Sequence, residues 1–292
     1  MSADHDGGVS ARSLRRSAGA RLSRAGVASP ERDVDELLAS VLGLSLGQLP
    51  LAEEVSADQV ARFEELLARR EAREPLQHLL GTAAFRYVEL EVGPGVFVPR
   101  PETELLAGWA VDQARAVEAE HGRGAVVVDL CTGSGAIARA VAHEVPSARV
   151  HAVELDPAAL RWAARNLAET GVDLRQGDMG EAFDDLLGEV DVVVCNPPYI
   201  PLEAWESVAP EARDHDPHLA LFSGADGLDA FRVLERRAAR LLRPGGVVGA
   251  EHADAQGESA PAVFAGTGRW SQVRDHQDLA GRPRYVTARL AR

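Results

Sequence analysis

Apolar positions along this chain change their period once. As far as about Gly81 they recur at helical spacing, with Leu37, Leu38 and Leu42 in one stretch and Leu66 and Leu67 in another. Residues 10–26, 30–42 and 56–74 are therefore expected as helices, the last two carrying an apolar stripe each and together making a small bundle. The end signals agree: Ser29 is an N-cap ahead of Pro30, and Ser56 with Gln59 forms a capping box. Between residues 85 and 99 apolar residues alternate in patches (Tyr87, Leu90, Val92, Val96, Val98) around Gly93-Pro94-Gly95, which predicts a β-hairpin turning at those glycines. Beyond it, short apolar runs at 125–130, 149–153, 191–195 and 246–251, with a further strand expected around 173–176, alternate with helical stretches, and an antiparallel pair is expected near 270–274 and 284–290. That alternation is the α/β pattern. The expected organisation is a disordered tip at 1–10, a helical domain at 11–82, a hairpin linker at 83–99 and an α/β catalytic domain at 100–292.

Composition narrows the class. The 292 residues are 46% hydrophobic and 26% charged, which suits a globular chain of two domains. No apolar stretch approaches the roughly 18 residues of a membrane span. Residues 1–10 lack the pattern of a signal peptide, so a cytoplasmic location is expected, with no membrane partner. All 31 basic side chains are arginine, which excludes lysine Schiff-base chemistry. A net charge of −14 disfavours nucleic acid as a direct partner. The exception is local: Arg12, Arg15, Arg16, Arg21 and Arg24 stand in an acid-free stretch, as a solvated helix face or a partner-binding patch. Two cysteines, Cys131 and Cys195, make neither a disulfide framework nor a dedicated zinc site, and no metal is expected. Each ends a strand, so the two thiols should adjoin, as packing residues or as an oxidation-sensitive pair.

The chemistry sits at strand ends. Asn196, Pro197, Pro198 and Tyr199 follow the apolar run 191–195 directly. Such a sequence can be a plain turn. It also suits methylation of a planar amino group, whose delocalised lone pair makes it a poor nucleophile that must be positioned. Asn196 can offer its side-chain oxygen to one N–H, and the Pro197 carbonyl can accept the other. The prolines fix φ and add no competing donor. Tyr199 can stack on the flat group. A second motif runs from strand 125–130 through Cys131-Thr132-Gly133-Ser134-Gly135 into a helix, with Glu154 ending the next strand at the distance of a ribose-binding carboxylate. A dinucleotide would suit this outline, but the third glycine of its fingerprint is missing, Ala138 standing there. Coupled to Asn196–Tyr199, the better ligand is S-adenosylmethionine. Asp178 and Met179 fall where its adenine should lie.

Several longer blocks resemble one family, the protein N5-glutamine methyltransferases of peptide-chain release factors. They are PLQHLLG at 75–81, Phe85, VFVPRPETELL at 96–106, VVDLCTGSGAIA at 127–138, VELDPAAL at 153–160, Arg165-Asn166, CNPPYI at 195–200, GADGLDAFR at 224–232, the stretch 251–257 and DLAGRPRYVTAR at 278–289. The resemblance implies a class I S-adenosylmethionine-dependent methyltransferase, with a Rossmann-like seven-stranded sheet and a small N-terminal helical bundle that docks the substrate. It implies methylation of the glutamine amide in the Gly-Gly-Gln motif of class I release factors, by a chain expected to be a monomer. Asp129, Cys131 to Gly135, Glu154 and Met179 would line the cofactor, and Asn196 to Tyr199 would hold the glutamine. Arg100, Glu102 and Glu104 would order the adjoining loop or form a structural ion-pair cluster. The sequence departs from the family pattern at Cys131, usually glycine, and at Asp216-Pro217, usually Glu-Pro. Two other readings use the same residues: an adenine-N6 methyltransferase acting by base flipping, and a cofactor-binding protein without turnover.

Overall fold

A computed structural model describes residues 9–291. The chain forms two compact units, one of residues up to 82 together with 210–215, the other of 83–209 and 216 onward. The expected disorder at 1–10 falls, for residues 1–8, outside the described residues. Val9 and Ser10 are ordered instead, as a two-residue strand β1 (Val9–Ser10) antiparallel to β2 (Glu54–Val55).

The first unit contains α1 (Ala11–Arg24), α2 (Pro30–Leu42), α3 (Ala57–Glu71) and α4 (Leu76–Leu80). Their stripes meet in a core that includes Leu22, Leu37, Leu38, Phe63 and Leu67. The Ser56–Gln59 capping box forms, whereas Ser29 makes no side-chain cap and leaves Pro30 to start α2. On α1, Arg15 pairs with Asp35 and Arg21 with Glu64 and Glu71, while Arg12, Arg16 and Arg24 are exposed. Most of that face is solvated. Buried Arg70 bridges Asp33 at 2.7 Å and Glu211 at 2.9 Å, and Arg73 holds Glu211 at 2.7 Å. Glu211 thus ties the short segment 210–215 to α3.

The second unit opens with β3 (Thr82–Phe85) and β4 (Val88–Glu91), which pair as a hairpin. Its turn is Arg86-Tyr87, with Arg86 at φ 51°, not the expected Gly93-Pro94-Gly95. Burial of Ala83, Phe85, Leu90 and Val92 fixes this register. The glycines serve packing: a Cβ on Gly93 would lie 2.7 Å from the Trp162 ring.

The main sheet has seven strands in the order β10-β11-β9-β8-β5-β6-β7. These are β5 (Val126–Asp129), β6 (Arg149–Glu154), β7 (Asp173–Gln176), β8 (Val190–Cys195), β9 (Leu242–Glu251), β10 (Trp270–Gln277) and β11 (Pro283–Leu290). The five strands from β7 to β9 run parallel; β11 is antiparallel to β9, and β10 is antiparallel to β11. One face is covered by α5 (Thr103–His121), α6 (Ala136–Glu144) and α7 (Pro157–Asn166), the other by α10 (Asp229–Leu241) and α11 (Ser259–Ala265); between β8 and α10 lie α8 (Pro210–His215) and α9 (His218–Leu221). Val127, Val192 and Val194 face the first layer, Val126, Val128 and Val193 the second. Burial on both faces is why these strands read as unbroken apolar runs.

The strand order reverses at β5: β6 lies on one side and β8 on the other. Open α/β sheets bind ligands at the carboxyl ends of the strands flanking such a switch. Helix α5 crosses β8 and β9 closely, because a Cβ on Gly249 would sit 2.4 Å from Trp109. That contact sets Thr103, the first residue of α5, near the ends of those strands.

Candidate active site

On the β5 side, the turn after Asp129 is shaped by Gly133 at φ 57° and Gly135 at φ 85°. Nothing lies within 4 Å of a Cβ built on Gly133, so the turn borders open space, while Gly135 packs on Leu167. Thr132 donates its hydroxyl to Asp129 Oδ2 at 2.7 Å. Asp129 is wholly buried and its Oδ1 has no hydrogen-bond partner. Burial pushes its carboxyl up to about 7, against the lowering by Thr132 and nearby backbone N–H groups. A buried acceptor without a partner is costly unless a ligand fills it.

Glu154, ending β6, accepts the Gly133 N–H through Oε2 and the Asp156 N–H through Oε1, both at 2.8 Å. Burial raises its pKa as well. The Ser134 carbonyl is held at 2.9 Å by Asn166, which also clasps the backbone of Glu91. Asp178 accepts the N–H of Gly180 at 2.7 Å, and Met179 Sδ lies 3.6 Å from Cys131 Sγ. Cys195 is buried beside Cys131, and burial pushes its thiol well up, away from reactivity.

On the β8 side, Asn196 donates from Nδ2 to Thr103 Oγ1 at 3.3 Å. Pro197 is buried, and Pro198 and Tyr199 are half-buried. The Tyr199 hydroxyl donates to Glu251 Oε1 at 3.1 Å, and its carbonyl accepts from Gln256 Nε2 at 3.0 Å. Burial first, then the Glu251 charge, raises the phenol's pKa. Downstream, Ile200 forms an isolated parallel bridge with Phe222, which ties the loop to the stretch just after α9.

The block 99–104 divides in a way its sequence did not reveal. Arg100 reaches buried Asp216 at 2.7 Å, so the aspartate of Asp216-Pro217 keeps an ion-pairing role; burial lifts that carboxyl to about 6. Glu102 lies 3.8 Å from Arg282, a partly exposed pair, and Glu104 contributes its backbone carbonyl to Arg86. Thr103, between them, is the residue that touches Asn196. Sequence reasoning gave no role to Thr103, Asn166 or Glu251, although all three lie in blocks that carry the family resemblance. Glu251 also had a local signal, an acid closing an apolar strand, like Glu154.

Comparison with known proteins matches residues 13–81 to the PrmC N-terminal domain and residues 127–215 to a methyltransferase domain. A release factor glutamine methyltransferase of Streptomyces coelicolor is 60% identical over 271 residues, covering 93% of this chain and 95% of that protein. A 4-amino-L-phenylalanine/4-methylamino-L-phenylalanine methyltransferase of Streptomyces pristinaespiralis is 47% identical over 212 residues, 73% of this chain and 72% of that one. Among solved structures, the hMettl16 catalytic domain in complex with MAT2A 3'UTR hairpin 6 shares the fold, with a TM-score of 0.54 over 82% of this chain and 84% of that one at 13% identity.

Proposed function

Because this chain belongs to the release factor glutamine methyltransferase family, we propose that it methylates the side-chain amide nitrogen of the glutamine in the Gly-Gly-Gln motif of class I release factors. The observation that carries this reading is the direction of Asn196: its NH2 is taken up by Thr103, so its Oδ1 is free to accept from a substrate N–H.

The residues present fit S-adenosylmethionine. The unpartnered Oδ1 of Asp129 suits its ammonium, the Glu154 carboxylate its ribose hydroxyls, and the open space at Gly133 a close approach of the backbone. Cys131, Thr132, Ser134 and Gly135 complete that turn, with Asp178 and Met179 beside the adenine. When bound, the cofactor supplies a methyl carbon on a cationic sulfur.

The protein's own part is alignment. Asn196 Oδ1 and the Pro197 carbonyl accept the two N–H bonds of the carboxamide, turning its nitrogen toward the methyl donor. Both acceptors also draw positive charge from that nitrogen as it develops, which favours the transition state. Pro197 and Pro198 stiffen the edge, and the Tyr199 ring covers the amide plane. No side chain need act as a strong base, since an N-methylated amide cation releases its proton to water.

The helical unit that matches the PrmC N-terminal domain is assigned to docking of the release factor. A monomer acting in the cytoplasm on protein, not directly on nucleic acid, accords with a net charge of −14. Transfer to an adenine amine would use the same acceptors, but neither that charge nor the match over residues 13–81 favours it. Mass spectrometry of a release factor incubated with enzyme and S-adenosylmethionine should find a single added methyl, on the Gly-Gly-Gln glutamine. Methylation at other residues alone, or none, overturns the assignment.

A further inference from the structure

Two of the sequence blocks that carry the family resemblance, 224–232 and 251–257, take no part in the reaction as described, yet they meet on one atom of the loop that does. Gln256 is 6% exposed and ends a single short turn, Asp254–Gln256, just after β9. Its Nε2 donates to the Tyr199 carbonyl at 3.0 Å and to the Asp226 carbonyl at 3.3 Å, and its Oε1 accepts the Ala253 N–H at 3.0 Å. An N–H on one side and two carbonyls on the other leave this amide one orientation. Gly227, at φ 76°, closes around the same atom: a Cβ there would lie 2.2 Å from the Tyr199 oxygen and 2.7 Å from Gln256 Nε2. Only glycine suits both that backbone and that approach. Asp226 in turn is held through its carboxylate by the Leu228 N–H at 3.0 Å and by the Arg232 guanidinium.

Prolines explain why the grip falls there. Pro197 and Pro198 have no N–H, so backbone donors cannot fasten the middle of the loop. It is fastened at its ends. Cys195 pairs with Ala250 in the β8–β9 ladder and Asn196 bonds Thr103, while Tyr199 is held at its carbonyl by Gln256 and at its hydroxyl by Glu251 Oε1, 3.1 Å away. Because both prolines have φ fixed, the ψ angles between these anchors decide where the Pro197 carbonyl points and how the Tyr199 ring lies. Release of the Tyr199 carbonyl loosens both.

We propose that Gln256 is a positioning residue for methyl transfer: by gripping the Tyr199 carbonyl it fixes the far end of the Asn196–Tyr199 loop, and with it the Pro197 carbonyl and Tyr199 ring that meet the glutamine amide. This rests on the functional reading above and adds a residue that does not itself touch the substrate. Gln256→Glu keeps an acceptor for the Ala253 N–H but replaces the NH2 by an oxygen facing two carbonyl oxygens, so the grip on Tyr199 is lost while the turn keeps its cap. Gly227→Ala reaches the same carbonyl from the other direction, by forcing it away from the new Cβ.

The test compares steady-state turnover of a release factor by the full-length wild type, Gln256→Glu and Gly227→Ala, with cofactor affinity measured by calorimetry and folding by circular dichroism. Wild-type transfer to the glutamine is established first; without it, both the functional reading and this inference fail. Given that transfer, kcat should fall on the order of tenfold or more in each variant, since a misdirected acceptor costs alignment in the transition state. KM for the release factor and the cofactor Kd should stay within about threefold of wild type, because the Gly-rich turn and Glu154 stand at the ends of β5 and β6. A folded Gln256→Glu enzyme with wild-type kcat refutes the positioning role and leaves the methyltransferase assignment intact. So does a loss carried by KM, or by cofactor binding together with turnover, which would mark Gln256 as a general structural residue. If Gln256→Glu does not fold, Gly227→Ala decides: the same fall in kcat alone supports the grip, and wild-type turnover refutes it.

Discussion

Asn196 and Asp129 stand on opposite halves of the proposed site, and each makes a separable prediction. Asn196→Ala removes the acceptor proposed for the substrate amide but nothing from the turn at Glu154. Its kcat should drop on the order of a hundredfold with cofactor Kd unchanged; single-turnover kinetics and calorimetry measure the two, and normal turnover would refute the mechanism. Asp129 gives a pH dependence. Its carboxyl is raised to about 7 by burial, so below that pH the free protein carries it mostly neutral. In the proposed reading the ammonium of the cofactor pairs with this carboxylate. Affinity should therefore fall as pH drops through 7, by up to about tenfold per pH unit. Asp129→Asn should bind weakly at every pH, with that dependence lost. Both were singled out in the sequence as candidates, because strand-end polar residues beside Gly-rich or Pro-rich turns stand out from apolar runs. The contact of Asn196 with Thr103 was not legible, since it comes from a placement of α5 across the strands that no local pattern encodes.

Among the elements, α1 to α3, α6 and the strands β5 to β8 could be read almost to their ends, whereas α4 and α5 were not singled out, β9 starts earlier than expected, and the linking hairpin turns elsewhere. Arg86-Tyr87 contains neither glycine nor asparagine, so the tertiary burial of Phe85 and Leu90, not turn chemistry, decides where it bends. Gly249 shows the converse, a residue that looks unremarkable in a strand yet lets α5 approach. Gly249→Ala would force a Cβ to 2.4 Å from Trp109. It should cost about 1–3 kcal/mol in denaturant unfolding and lower kcat by shifting Thr103. In the helical unit, burial alone would raise the Glu211 carboxyl, but hydrogen bonds from Arg73 and Arg70 bring it down to about 2. A depressed carboxylate stabilises above its unfolded pKa, and that contribution disappears as pH falls through the folded value. Stability should thus decline between about pH 4.5 and 2, by up to about 3 kcal/mol from this group. Glu211→Gln should show a smaller decline over that range in acid titrations followed by circular dichroism.

At the scale of the whole molecule, the hydrophobic period changes near Gly81, and the structure divides into two compact units. That change of period does not announce that residues 210–215, which follow the Asn196–Tyr199 loop in sequence, join the helical unit through Glu211. That pairing spans about 140 positions and leaves no local trace. The central claim, however, lies in one place: a glutamine carboxamide gripped by Asn196 and Pro197 with its nitrogen facing the methyl donor. A crystal structure with a Gly-Gly-Gln peptide and the demethylated cofactor tests it most directly. The expected result places the glutamine nitrogen about 3 Å from both Asn196 Oδ1 and the Pro197 carbonyl oxygen. A cradle filled by the protein's own side chains, or a glutamine bound with its nitrogen turned away from the cofactor sulfur, would contradict the account.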